Sequence, residues 1–78
     1  MGRPKKETNI YVSVGEQLKA RRLALGLSQK KLAELMNVHS NNIIEYEKGR
    51  RGMSLDTLVK YCKVLKLEVE LRAVGDEQ

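Results

Sequence analysis

The spacing of apolar residues changes several times along the chain, and the changes mark its predicted elements. Over residues 10–14, Ile-Tyr-Val-Ser-Val, β-branched side chains alternate and predict a short strand. Ser13 and Glu16 then have the spacing of a capping box, and Gly26 suits the position just after a helix. A first helix is therefore predicted over residues 14–25.

Two shorter helices are predicted next, with a tight turn between them. Ser28 is placed to cap a helix over residues 29–36, and Asn37 tolerates the left-handed backbone that such a turn often needs. The following helix runs from residue 39 or 40 to residue 48. Two helices of about eight residues joined in this way cross each other, as in a helix-turn-helix, whose second helix enters the major groove of DNA. The residues predicted to be buried here are Leu32, Ala33, Met36, Val38, Ile43 and Tyr46.

The last part of the chain combines a helix with an alternating segment. Ser54 is placed to cap a fourth helix, whose predicted apolar face comprises Leu55, Leu58, Val59, Cys62 and Leu65. Apolar and polar residues then alternate over residues 67–74, which predicts a strand with one buried face. Within the chain only residues 10–14 could pair with it. We therefore expect it to pair with the same strand of a second copy, which would bury Leu67, Val69 and Leu71.

Charge and composition narrow the class of function. The 78 residues suit one domain with a small, mostly aliphatic core, because the chain has three Tyr and neither Trp nor Phe. The net charge is +5, and residues 1–51 hold eleven Lys and Arg against five Asp and Glu. Residues 52–78 hold four against five. A basic N-terminal part followed by a nearly neutral C-terminal part suits a protein that binds phosphate groups.

Several classes of protein are not expected. No apolar run reaches the length of a membrane span, and the first residues lack the apolar stretch of a signal peptide. One cysteine and one histidine build neither an internal disulfide nor a metal site. No catalytic pair of residues is evident, and Cys62 is interpreted as a small buried hydrophobe. The prediction is a cytoplasmic protein with no cofactor and no enzymatic activity.

The outward side of the third helix supplies the candidate base contacts. If Ile43 and Tyr46 face the core, the outward residues are His39, Ser40, Asn41, Ile44 and Glu45. Asn41 can bond an adenine edge, Ile44 can pack on thymine methyl groups, and Glu45 can accept from cytosine N4. For His39, capping the helix and contacting the DNA backbone remain alternatives.

Candidate phosphate contacts flank this helix. Lys48, Arg50 and Arg51 cluster at its end with Asn42 nearby, and a merely solvated loop is the alternative. Residues 1–9 are predicted to form a flexible basic arm. That arm could enter a minor groove or be a disordered tag. Residues 75–78 are expected to be a disordered tail.

The chain resembles the helix-turn-helix family of phage repressors, Cro/CI or XRE, over residues 14–65. The residues that carry the resemblance are Leu27, Ser28, Gln29, Lys30, Lys31, Leu32, Ala33, Val38, Ile43, Glu47, Gly49, Ser54, Leu55, Asp56, Thr57 and Leu58. It implies a mostly α, four-helix, lambda-repressor-like domain over residues 10–66. It also implies base contacts at Ser40, Asn41 and Glu45, and a phosphate contact at Gln29.

An arginine on the inward side of the first helix needs a partner. Arg22 fits that side and Glu47 is its candidate partner, which agrees with an Arg–Glu pair in the family, although the spacing leaves Arg21 open. The sequence departs from the family at two positions. Asn37 replaces the usual turn glycine. Lys66 stands where a glycine commonly closes the fourth helix, which suggests a different exit.

The end of the chain, residues 58–74, and the lead over residues 10–14 are similar to HipB-like antitoxins. That similarity implies dimerisation through C-terminal strands, repression of the protein's own operon at a palindromic operator, and a HipA-like kinase toxin as partner. Leu23 and Leu35 could touch such a partner or add to the core. The alternatives are a stand-alone repressor of a phage or restriction system, and a protein-binding adaptor that lost DNA binding. The loop cations and Ile44 argue against the adaptor.

Overall fold

The structure, a computed structural model, describes residues 10–71. It consists of four helices, α1 (Ile10–Ala24), α2 (Gln29–Met36), α3 (Ser40–Glu47) and α4 (Leu55–Leu65). The prediction of a mostly α, four-helix domain is confirmed. None of the helices within residues 10–71 is long and apolar enough to cross a membrane.

Local side chains set the ends of α2 and the start of α4. The N–H of Lys31 donates to Ser28 Oγ at 2.9 Å, and that of Thr57 donates to Ser54 Oγ at 3.1 Å. These caps satisfy amides that have no partner within the helix. Asn37 ends α2 with a left-handed backbone at φ 61°. Both caps, the turn and the bounds of α2 are therefore confirmed.

The core lies where α2, α3 and α4 meet α1. Its buried residues are Leu18, Leu32, Ala33, Met36, Ile43, Tyr46, Tyr61 and Leu65. Those predicted for α2 and α3 are buried as expected, and Val38 is partly buried against them. Leu23 and Leu35, in contrast, are exposed, so the alternative that they add to the core is wrong.

The buried face of α4 differs from the predicted one. Leu55 and Val59 are 76% and 48% exposed, whereas Tyr61 is fully buried. Tyr61 packs edge-on against Tyr46 with ring centroids 6.0 Å apart. Leu58, Tyr61 and Leu65 satisfy helical spacing as well as the predicted set does. Only the packing of α4 on α1 and α2 decides between the two faces.

Tyr61 brings a hydroxyl into this core. The hydroxyl has no hydrogen-bond partner among the described residues. Burial raises the pKa of Tyr61 well above its ordinary value, the negative charge of Glu47 and nearby Tyr46 raise it further, and Arg22 opposes them. The phenol therefore stays neutral at physiological pH.

Residues 10–14 are helical, so the predicted strand is wrong. Ser13 lies inside α1, and the predicted capping box does not form. The preference of β-branched residues for strands is weak and yields to packing. Here Val12 lies against Gly49, and Tyr11 lies beside Gly52. These contacts join the start of α1 to the loop after α3.

The predicted strand over residues 67–74 is also not supported, since residues 10–71 contain no strand. Lys66 closes α4 with a left-handed backbone at φ 59°, as a glycine would, so the different exit expected there is wrong. Leu67 packs partly against the core, while Val69 and Leu71 are exposed. Residues 10–71 offer no neighbouring strand that could complete a ladder at this position. The predicted arm over residues 1–9, the rest of the strand and the tail lie outside the described residues.

Candidate nucleic-acid interface

Close backbone contact with α1 fixes the end of α3. Gly15 lies directly against the carbonyl oxygens of Tyr46 and Glu47. A Cβ there would overlap the first oxygen and stand 2.7 Å from the second. The last turn of α3 therefore rests on a part of α1 that has no side chain, which holds α3 in one position.

A buried ion pair joins the same elements. Arg22 and Glu47 are 6% and 5% exposed, and Arg22 Nε lies 2.6 Å from Glu47 Oε2. Arg22 Nη2 donates to Glu47 Oε1 at 3.1 Å, and Arg22 Nη1 donates to the carbonyl of Leu27 at 2.8 Å. Arg21 is not the buried partner, because its Nε donates to the carbonyl of Leu65 at 2.8 Å. Arg22 thus links α1 to α3 and to the loop before α2.

The predicted base-contact residues lie on α3 or at its N-cap, and none of them is among the buried residues of the helix. His39, Ser40 and Asn41 are exposed, and Ile44 and Glu45 are half-buried. Ile43, Tyr46 and Glu47 face the core. His39 makes no side-chain capping bond to α3, so the structure does not contain the capping interaction considered for it. An imidazole, a hydroxyl, an amide, an alkyl group and a carboxylate are thereby presented along one short helix.

Glu45 has a neighbour that the sequence did not indicate. Arg50 Nη1 lies 3.8 Å from Glu45 Oε2, and both side chains are partly exposed. The chain returns to this position because the N–H of Arg50 donates to the carbonyl of Glu45 at 3.0 Å. An exposed pair of this kind contributes about 0–1 kcal/mol. Either partner can therefore leave it at little cost when another charged group approaches.

The loop after α3 places its cations around the end of that helix. Lys48, Arg50 and Arg51 are exposed, and Asn42, near the start of α3, is half-buried. The guanidinium carbon of Arg51 stands 5.8 Å from the centre of the Tyr46 ring, within the range of a cation–π contact. Arg51 is thereby held near α3.

The start of α2 adds a second polar group. Gln29 is the first residue of α2 and is half-buried, and its Nε2 donates to Glu47 Oε1 at 3.0 Å. The sequence did not indicate this bond, because the two residues lie 18 positions apart. Lys30 and Lys31, exposed in the first turn of α2, were not among the predicted phosphate contacts. Their positive charge and their position in the first turn of a helix are the sequence features that could have indicated a phosphate contact there.

Residues 10–71 contain no cluster of side chains suited to binding a metal ion. The chemistry of this face is instead that of hydrogen bonding, apolar contact and positive charge. Such groups around a short, fixed helix match the needs of duplex DNA: base edges are read in the groove, and phosphates are held on either side.

Comparison with known proteins agrees with this arrangement. Residues 18–71 match the family model described as helix-turn-helix. The chain is 33% identical over 66 residues to the HTH-type transcriptional regulator ImmR of Bacillus subtilis, covering 85% of this chain and 52% of ImmR. It is 35% identical over 62 residues to a transcriptional regulator in the ATPase CF(0) region of Rhodospirillum rubrum, covering 80% of this chain and 57% of that one. The chain thus spans about half the length of these curated relatives.

Two solved structures share the fold. The restriction-modification controller protein C.AhdI of Aeromonas hydrophila superposes with a TM-score of 0.71 at 34% identity, over 74% of this chain and 84% of that one. The clp gene regulator ClgR of Corynebacterium glutamicum superposes with a TM-score of 0.73 at 29% identity, over 76% of each chain. With the match over residues 18–71, these similarities show that the chain belongs to the helix-turn-helix family of DNA-binding transcriptional regulators.

Proposed function

We propose that this protein is a transcriptional repressor that binds a palindromic DNA operator as a homodimer and reads it with α3. The observation that carries the proposal is the set of polar residues on α3 that are not buried, with the cationic loop directly after the helix and Gln29 of α2 bonded to its last residue. The proposed base contacts are His39, Ser40, Asn41, Ile44 and Glu45. The proposed phosphate contacts are Gln29, Asn42, Lys48, Arg50 and Arg51.

The outward residues of α3 suit mixed base recognition. The Asn41 amide can donate to and accept from one adenine. Ile44 is half-buried and is not part of the core cluster, so its remaining surface is available to thymine methyl groups. Glu45 can accept from cytosine once it leaves Arg50. Arg50 is then free to bind a phosphate.

The phosphate assignment is tested with Arg50→Ala/Arg51→Ala. The duplex is first selected by the wild-type protein from a randomised library, and binding is measured by gel shift at several salt concentrations. We expect binding at moderate salt to weaken at least about tenfold. The slope of log K against log salt should fall by up to about 2, because each lost phosphate contact removes about 0.9.

Lys60→Ala/Lys63→Ala is the matched control for this test. It removes the same charge from two exposed residues of α4, which lie outside the proposed interface. The control should bind nearly as the wild type does and keep its salt slope. Unchanged binding by Arg50→Ala/Arg51→Ala, or an equal loss in the control, would contradict the assignment.

Exposed apolar residues support the homodimer. Leu55 and Val59 of α4 and Val69 and Leu71 after it are exposed. Nearby, a groove of about 570 Å³ runs between α1, α4 and the segment after α4. Exposed apolar surface of this kind is typical of protein–protein interfaces, where a second copy would bury it. A two-fold pair would also present two α3 helices about one DNA turn apart, roughly 34 Å.

The dimer is tested with Leu71→Glu. Leu71 is 93% exposed, so the substitution should not disturb the fold of the single chain. We expect light scattering to give a dimer mass for the wild type and a monomer mass for the variant at the same concentration. Leu23→Glu is the matched control, since Leu23 is 57% exposed on α1, and it should remain dimeric. A dimer mass for Leu71→Glu would remove this segment from the proposed interface.

The biological setting has two candidates, a stand-alone repressor of a restriction system and the antitoxin of a HipBA-like pair. Similarity to the controller C.AhdI over most of that chain supports the first. The antitoxin interpretation depends on the end of the chain, and residues 67–71 form no strand. Co-expression with the product of the neighbouring gene distinguishes them, because only an antitoxin should copurify with a kinase and suppress its toxicity.

A further inference from the structure

We propose that Glu47 positions the side chain of Gln29 for its phosphate, so that the buried Arg22–Glu47 pair belongs to the DNA-binding machinery as well as to the core. This inference rests on the proposed function, in which Gln29 contacts a phosphate. It adds a positioning role for Glu47, a residue that is itself buried and cannot reach DNA.

The geometry around the Glu47 carboxylate carries the inference. Oε2 accepts from Arg22 Nε at 2.6 Å, while Oε1 accepts from Arg22 Nη2 at 3.1 Å and from Gln29 Nε2 at 3.0 Å. A carboxylate only accepts hydrogen bonds, so the amide of Gln29 must present its nitrogen to Glu47 rather than its oxygen. The amide nitrogen carries two hydrogens, and the second is the donor left for a phosphate oxygen.

Arg22 makes this arrangement compatible with DNA. A lone carboxylate 3.0 Å from the phosphate-binding amide would repel the phosphate that the amide has to hold. Because Arg22 pairs with Glu47 through two nitrogens, the carboxylate is neutralised where it meets Gln29. Glu47 thus orients the amide without adding net negative charge. A side chain held in advance also loses less rotamer entropy when it binds.

A first measurement uses the wild-type protein without DNA. Nitrogen-15 relaxation of the side-chain amides compares Gln29 with Gln17, an exposed glutamine whose Nε2 lies 3.5 Å from the carbonyl of Ser13. We expect the order parameter of the Gln29 amide to be clearly higher than that of the Gln17 amide, which should lie below about 0.6. Equal mobility of the two amides would overturn the proposal.

A second measurement removes the ion pair without removing the fold. Arg22→Met/Glu47→Met replaces two buried charges by apolar side chains, a change that is often neutral or stabilising. The net charge stays the same. We expect the variant to bind the duplex selected by the wild type about tenfold more weakly, with an unchanged salt slope, and we expect the same of Gln29→Ala. Adding Gln29→Ala to the pair variant should cause little further loss.

Two outcomes would overturn the positioning role: wild-type affinity for the pair variant, or losses that multiply in the combined variant. If the pair variant fails to unfold cooperatively, the relaxation measurement decides alone. A wild-type protein that selects no duplex at all would refute the proposed function instead. Failure of the positioning role and failure of DNA binding are therefore distinguishable.

Discussion

Replacing Glu47 alone with methionine is expected to destabilise the domain by about 3–5 kcal/mol. The variant leaves Arg22, only 6% exposed, without the carboxylate that accepts from two of its nitrogens. A buried guanidinium without a counter-charge has lost its hydration, and the remaining bond from Nη1 to the carbonyl of Leu27 does not compensate for that loss. Because small domains are stable by only about 5–15 kcal/mol in total, the loss is a large part of the whole. Urea unfolding followed by circular dichroism at one fixed protein concentration measures it.

Two further variants separate this effect from a general sensitivity of α3. Arg22→Met/Glu47→Met should recover most of the lost stability, because neither charge then remains buried. Glu45→Met removes the partly exposed partner of Arg50 and should change the free energy of unfolding by less than about 1 kcal/mol. A Glu47→Met protein as stable as Glu45→Met would show that the ion pair contributes little.

Gly15→Ala is expected to cost about 2–3 kcal/mol, although alanine ordinarily stabilises a helix interior by about 0.5–1 kcal/mol relative to glycine. The new Cβ would overlap the carbonyl oxygen of Tyr46 and stand 2.7 Å from that of Glu47. Both obstacles are backbone atoms, which cannot rotate aside as a side chain can. Either α1 or the end of α3 has to move, so weaker DNA binding should accompany the lower melting temperature.

Gly52→Ala is the matched control for this prediction. A Cβ at Gly52 would meet the ring of Tyr11 at 3.5 Å, an ordinary van der Waals distance. We expect its melting temperature to stay close to that of the wild type, because surface changes of this kind lie within about 0.5 kcal/mol. If Gly15→Ala melts together with Gly52→Ala and the wild type, α1 and α3 are not packed as described.

Prediction from sequence succeeded where a short-range signal decides the backbone. The N-caps Ser28 and Ser54 and the left-handed Asn37 act on neighbouring amides, so the residues around them are sufficient to place the turns. Prediction failed where two patterns of similar quality competed. Residues 10–14 have β-branched side chains but form helix, since Val12 packs against Gly49 from a distant part of the chain. The sequence pattern of α4 likewise allows two buried faces, and only its packing on α1 and α2 decides between them.

The candidate site likewise has features that the sequence predicts and features that depend on packing. Helical spacing indicated that Asn41, Ile44 and Glu45 turn away from Ile43 and Tyr46, and none of the three is among the buried residues of α3. The bond from Gln29 to Glu47 and the approach of Arg50 to Glu45 depend on how α2, α3 and the loop are packed. Spacing cannot predict such contacts, because it describes one helix at a time.

The sequence by itself determined the helix-turn-helix, its caps and the outward residues of α3, because these depend on local backbone preferences and on the period of one helix. The tertiary structure alone decided that residues 10–14 are helical, that Tyr61 is buried, and that one carboxylate serves both Arg22 and Gln29. These features arise where elements distant in sequence meet. There the free energy depends on close packing and on the pairing of buried polar groups, which no single segment contains.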